Sequence, residues 1–211
     1  MGRLRSRQRQ AKTLIDSLLY TTSDGVGDES EVSRTSLVEG SKIDGRSISL
    51  DRCMLNRTRI VQAPGIRVHL CHLETVDAAN AVLDESGWRD IHISESRWTG
   101  ARINFSYLSW TVFEDCQMNH CQLQECTLKD VRFENCDLRG AYFNGSKMAG
   151  TVFVGSNLAG VDFSRAELAK CDFRRANIDD IRIAPEQLQG VIVTPDQALY
   201  LARLLGLDVR E

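Results

Sequence analysis

Every fifth residue between Val61 and Ile183 is apolar, and the residue two places before it is small. Thr111-Val112-Phe113-Glu114-Asp115 is followed by Cys116-Gln117-Met118-Asn119-His120 and Cys121-Gln122-Leu123-Gln124-Glu125, and the same frame reaches Ala176-Asn177-Ile178-Asp179-Asp180. Twenty-five consecutive fives carry the pattern without insertion, their centres running from Ala63 and Val68 through Trp88, Phe113 and Phe133 to Ile183. In a chain that is 42% hydrophobic, chance fills such a column with odds of roughly a few in a billion. The small positions hold only Ala, Cys, Ser, Thr, Val and Ile. Neither the 3.6 period of a helix nor the 2.0 period of a strand gives this spacing. A five-residue side does, with two inward residues separated by an outward one and followed by a turn. Units this short bury their apolar faces by stacking on one another.

Ala176-Asn177-Ile178, Cys171-Asp172-Phe173, Cys136-Asp137-Leu138 and Ser156-Asn157-Leu158 closely resemble the motif of the pentapeptide-repeat family, Ala-(Asp/Asn)-(Leu/Phe)-X-X. The resemblance implies an all-β solenoid, a right-handed quadrilateral β-helix with four fives per coil and short terminal helices. Residues twenty apart then stack at about 4.8 Å per coil. Phe113, Phe133, Phe153 and Phe173 fall in one internal ladder, and Leu138 and Leu158 lie over Met118 and Trp98 in another. Gly140, Gly145, Gly150, Gly155 and Gly160 all close their fives, at a turn position where positive φ suits glycine.

The 211 residues divide into an N-terminal capping helix and linker at 1–35, a repeat region at 36–183 and a C-terminal capping and dimerisation helix at 184–211. Leu14, Ile15, Leu18 and Leu19 are spaced for a helix over about 8–20, behind a basic tip of Arg3, Arg5, Arg7, Arg9 and Lys12. Such an element serves as a lid on the unpaired end of the stack, or as a nucleic-acid arm. Thr21 to Arg34 has the acidic, glycine-containing composition of a linker. From Ser36 to Thr58 the frame weakens: Val38, Ile43 and Ile48 sit at centres and Cys53 takes another, while Arg46, Asp51 and Asn56 fall on the small inward place. Distorted terminal coils are the expectation.

A formal charge of −3 argues against a general nucleic-acid or membrane-surface binder. No apolar run is long enough to span a membrane, and no signal peptide follows the basic N-terminus, so the expected site is the cytoplasm. The familiar catalytic and phosphate-binding motifs are missing, and neither enzyme activity nor a cofactor is expected. Six of the seven cysteines occupy the small inward place and read as buried fillers in a reducing compartment. His72 and His92 stack on one outer face with His69 nearby, as ordinary surface residues; no metal site is expected.

Function then belongs to the outward positions. Between Glu74 and Asp137 there are twelve Asp or Glu against five Lys or Arg. Glu114, Asp115, Glu125, Asp130 and Glu134 are the candidate acidic face, either a solvated surface or an imitation of duplex phosphate charge that attracts a basic groove. Phe105, Tyr107 and Trp110 lie within six residues at outward or corner positions. They form a contact patch, or a distorted corner tucks some of them inside.

After Ile183 the period breaks. Ala184-Pro185-Glu186-Gln187-Leu188 predicts one helical turn, and Thr194-Pro195-Asp196-Gln197 an N-cap with a capping-box Gln. Gly206 should stop the helix that follows. Its apolar residues exceed one stripe, so Leu199, Ala202, Leu205 and Leu207 are candidates for a two-fold contact with a second copy. Val193, Asp196, Gln197, Ala198, Ala202, Gly206 and Leu207 resemble the terminal module of the quinolone-resistance type of pentapeptide-repeat proteins. That resemblance implies end-to-end homodimers that bind DNA gyrase as DNA mimics, with no direct nucleic-acid contact. The other reading is a scaffold for a different protein partner.

Overall fold

The computed structural model of the chain describes residues 20–22 and 26–210, the first three by their backbone. The basic tip and, apart from Tyr20, the expected helix over 8–20 lie outside the described residues.

The chain winds as a parallel β-solenoid of four-sided coils. Gly87–Ser94 pairs in parallel with Tyr107–Glu114 in a register of twenty, Trp88 against Leu108 and Ile93 against Phe113. Isolated bridges carry the same register along the other walls, from Gln62↔Val82 to Asp162↔Arg182. Backbone groups are satisfied by the coils above and below: Met118 N–H donates to Asp137 O at 2.7 Å, and Asp137 N–H to Cys116 O at 3.0 Å.

All centres from Ala63 to Ile178 are buried, and so are all small positions from Ile66 to Ile181; Val61 and Ile183, at the two ends, are half-buried. The phenylalanine ladder is present as the count by twenty predicts. Phe113, Phe133 and Phe153 stack with centroids 5.1 Å apart, and Phe173 follows at 5.5 Å. A second ladder on another wall stacks Phe143 on Phe163 at 5.6 Å.

The small position also has a polar task. Ser146 and Ser156 accept the N–H groups of Cys126 and Cys136 in the coil below at 2.9 and 3.0 Å, and their hydroxyls donate to the carbonyls of Leu123 and Phe133. These two buried hydroxyls are tolerated because each accepts one backbone N–H and donates to one carbonyl. The cysteines are free and buried. Burial pushes the thiols of Cys126 and Cys171 up to about 12, so both fill space as neutral groups. The last residue of nearly every five has positive φ, whether glycine, as at Gly150 (80°), or not, as at Asp115 (52°) and His120 (57°).

Before residue 61 the frame differs from the sequence reading. Thr58 and Ile60 form a side that lies 18 residues before Val76 and Ala78, and Ala63 follows after only three residues. Two residues are missing from that side, so the frame upstream slips by two. Leu37, Leu50 and Leu55 are centres there, in place of Val38, Ile48 and Cys53, while Ile43 keeps its expected place, buried and paired with Ile60. Ile48 and Cys53 take the small place, with Cys53 N–H on the Cys71 sulfur at 3.3 Å. Arg46, Asp51 and Asn56 point outward, where Asp51 pairs with Arg52 and His69 and Asn56 donates to Glu74. Coiling also starts within the expected linker: Glu31–Ser33 pairs with Ser49–Asp51, and Tyr20–Thr22 with Thr35–Leu37.

At the other end Pro185–Leu188 is a 3-10 turn and Pro195–Leu204 an α-helix. The count by twenty outlasts the turn, since Ile192 bridges to Asp172. Gln187 and Gln197 do the same work ten residues apart. Gln187 donates to Phe163 O and Ala166 O, and Gln197 to Phe173 O and Ala176 O, while each side-chain oxygen accepts the N–H three residues earlier. The open carbonyl edge of the last coil is thereby closed. The helix ends as expected at Gly206 (φ 88°), with Gly206 N–H on Arg203 O and Leu207 N–H on Ala202 O.

Candidate functional site

Four walls and four corners decide which outward residues meet. Glu114 and Asp115 turn the corner that follows the Phe113 wall, and Glu134 lies directly over Glu114. In lower coils Glu74 and Glu95 share this corner. Glu125 stands two corners further along the coil, on the diagonally opposite edge, and Asp130 on the edge between. The five candidate acids therefore do not make one face; three of them make one acidic corner. Their carboxylates are largely engaged. Glu114 accepts from His92 Nε2 at 2.9 Å, Glu134 from Arg132 Nε at 2.7 Å and Asp130 from Trp110 Nε1 at 3.0 Å. Glu125 folds over Gly145, whose missing side chain makes room for it.

The three aromatics frame the wall next to that corner's own. Phe105 projects from one edge and is 64% exposed, Tyr107 lies on the wall at 47%, and half-buried Trp110 closes the far edge. Phe105 and Trp110 occupy turn positions with φ of 56° and 51°, so the corner geometry itself aims their side chains away from the core. The alternative of a corner tucking them inside fails for Phe105 and Tyr107.

Below them opens a cleft of about 520 Å³, lined by Arg67, His69, Glu85, Arg89, Phe105 and Tyr107 among others. It exists because Gly87 stands between Arg67 and Tyr107 in one outward column, leaving a gap in a row of long side chains. Arg67 leans into the gap and donates to Gly65 O at 2.7 Å and Glu85 O at 2.9 Å. His69 pairs with Asp51 at 2.8 Å. Sequence reasoning found the aromatics and missed the cleft. Its signal was a glycine before a tryptophan centre, where the fives above and below carry Tyr107 and Arg67.

At the C-terminal end Leu201 is buried against the last coil, and Tyr200 Oη accepts from Asp180 N–H at 2.7 Å. Leu199, Leu205 and Leu207 remain exposed, with Leu204 and Ile192, and Ala202 is half-buried. No helix among the described residues is long and apolar enough to cross a membrane.

The family described as "Pentapeptide repeat region" matches residues 104–160. No curated protein matches the chain. Among solved structures, full-length QnrB1, a plasmid-mediated fluoroquinolone resistance protein, is 18% identical, with a TM-score of 0.49 over 89% of this chain and 98% of its own. HetL, a pentapeptide repeat protein involved in heterocyst differentiation regulation from the cyanobacterium Nostoc sp., is 14% identical, with a TM-score of 0.36 over 79% of this chain and 86% of its own. The family match lies at the centre of a register that runs unbroken from Val61 to Ile183, and the parallel β-solenoid is the fold that a pentapeptide-repeat region implies.

Proposed function

We propose that this protein is a non-enzymatic binding rod whose partner is a DNA-handling enzyme of the gyrase or topoisomerase class, engaged as a DNA mimic. The observation that supports the reading is the acidic corner, where Glu74, Glu95, Glu114 with Asp115, and Glu134 follow one another in successive coils. A row of carboxylates about 4.8 Å apart on a rigid edge offers a basic groove a line of charge of the kind a phosphate strand presents. Dimerisation through Leu199, Ala202, Leu205 and Leu207 would set two such edges end to end around a two-fold axis. A supercoiling assay with purified gyrase, with and without a topoisomerase poison, tests the reading. Inhibition or protection is expected, and Glu114→Lys/Asp115→Lys/Glu134→Lys should remove it; no effect at several-fold molar excess rules the reading out.

A second reading is supported by the cleft under Phe105 and Tyr107, which suits a scaffold that holds a different protein through an aromatic contact. Phe105→Ala/Tyr107→Ala against the charge-reversed triple, compared in a pull-down, separates the two.

A further inference from the structure

His72 and His92 meet more closely than two surface histidines need to. They are directly paired in neighbouring parallel strands, their ring centroids are 4.8 Å apart with planes tilted by 52°, and the two Nδ1 atoms face each other at 3.2 Å. Behind His92, its Nε2 lies 2.9 Å from Glu114 Oε2, one coil up and two residues on. His72 is buried and His92 half-covered. The carboxylate fixes the proton: a neutral His92 carries it on Nε2 and donates it to Glu114, which leaves the Nδ1 lone pair pointing at His72.

We infer that this pair is a chelating site for a borderline divalent cation of the Zn²⁺, Ni²⁺ and Cu²⁺ class. Two metal–nitrogen bonds of about 2.0–2.1 Å at a tetrahedral angle span about 3.3 Å between donors, close to the 3.2 Å separation of the two Nδ1 atoms. Without metal, His72 Nδ1–H donates to His92 Nδ1. With metal, that proton sits on His72 Nε2 instead, a change of tautomer with no net proton released, and a small rotation of each ring about χ2 turns both lone pairs toward one point off the Nδ1–Nδ1 line. Glu114 then stands behind His92 as the carboxylate commonly found behind a metal-bound imidazole, orienting the ring and raising its basicity. Among the described residues no group of three or more His, Cys, Asp or Glu closes around one point, so the site holds the ion by two imidazoles and leaves its remaining positions to water or to a donor from another molecule. Imidazole ligands favour this class over Mg²⁺ and Ca²⁺. The backbones bearing the rings are locked in register by the coil stack, so little ordering is needed on binding.

The site shares Glu114 with the acidic corner but needs no gyrase, and it is tested on the purified protein alone. Chelator-treated protein titrated calorimetrically with Zn²⁺, Ni²⁺ or Cu²⁺ should bind one equivalent saturably with at least one of them, and its melting temperature should rise with that ion. His92→Gln should abolish binding, and Glu114→Gln should weaken it by about 10-fold. His69→Gln/His120→Gln, which removes the other two histidines of the chain, should leave it unchanged, and Mg²⁺ and Ca²⁺ should not compete. Ring nitrogen NMR of the unaltered protein supplies a readout that does not depend on a variant folding: two of the four histidines should shift with the ion. Absence of saturable binding, binding that survives in a folded His92→Gln, or ring shifts confined to His69 and His120 would each overturn the site. An unchanged affinity in Glu114→Gln would overturn the carboxylate's part in it.

Discussion

Phe133 lies between Phe113 and Phe153, with centroids 5.1 Å away on both sides and ring planes within 9° and 7° of theirs. The hydrogen-bonded coils fix the axial spacing, so neighbours cannot close over a lost ring. Phe133→Ala should therefore cost about 3–5 kcal/mol, read as a lowered urea midpoint. The two buried tryptophans make a finer comparison. Trp88 Nε1 donates to Ser86 Oγ at 2.6 Å, whereas Trp98 Nε1 has no partner among the described residues. Changing either to Phe removes the same volume, but at Trp98 the change also removes an unsatisfied buried donor. Trp98→Phe should be the milder substitution, by about 1 kcal/mol, in parallel urea melts. The phenylalanine ladder was legible by counting in twenties. The orphaned indole N–H was not, because a serine stands two places before each tryptophan and only the use of its hydroxyl differs: Ser86 accepts from Trp88 Nε1, while Ser96 accepts from Val76 N–H and donates to Ser94 O.

A single side of a coil is the element here, and its length is what a fixed count misses. Ile60, Val61 and Ala63 are all apolar, so a frame read downstream runs through them without a visible break, although the structure omits two residues at that side. The C-terminal helix was legible because caps leave local signatures, and Thr194 and Gln197 make the expected reciprocal contacts at 3.3 and 2.9 Å. On the outer surface, sides are tied by Arg–Asp pairs. Arg97 reaches Asp77 one coil below at 2.7 Å, while Arg139 and Arg174 turn back to Asp137 and Asp172 within their own corners, also at 2.7 Å. The guanidinium hydrogen bonds hold all three carboxyls below their ordinary range. A depressed folded-state value means stability that is present above the unfolded value, about 3.9, and is lost as pH falls through the folded one. Unfolding free energy should thus hold down to about pH 5 and decline below about pH 4, and Arg97→Gln/Arg139→Gln/Arg174→Gln should make that decline shallower in urea titrations across the acid range.

At the scale of the whole molecule, a linear tally of charge becomes a distribution over four corners. Glu114 and Glu125 are eleven residues apart in sequence yet occupy opposite edges, which no composition window reveals; only Glu114, Asp115 and Glu134 survive as neighbours among the acids the sequence singled out. The C-terminal end carries a different asymmetry. Gln187 and Gln197 satisfy the last coil's carbonyls and Leu201 seals its apolar mouth, so the backbone edge that would otherwise invite pairing is already closed. What stays open is side-chain surface: Leu199, Leu204, Leu205 and Leu207, the last 62% exposed, together with Ile192 and Val209. Charge set into such a patch opposes association while leaving the cap's own contacts untouched. Leu205→Glu/Leu207→Glu should accordingly convert a dimer to a monomer in light scattering with an unchanged far-ultraviolet spectrum. Leu201→Ala should act the other way round, lowering the melting temperature by loosening the cap. A wild-type chain that scatters as a monomer across micromolar concentrations would detach the exposed leucines from self-association.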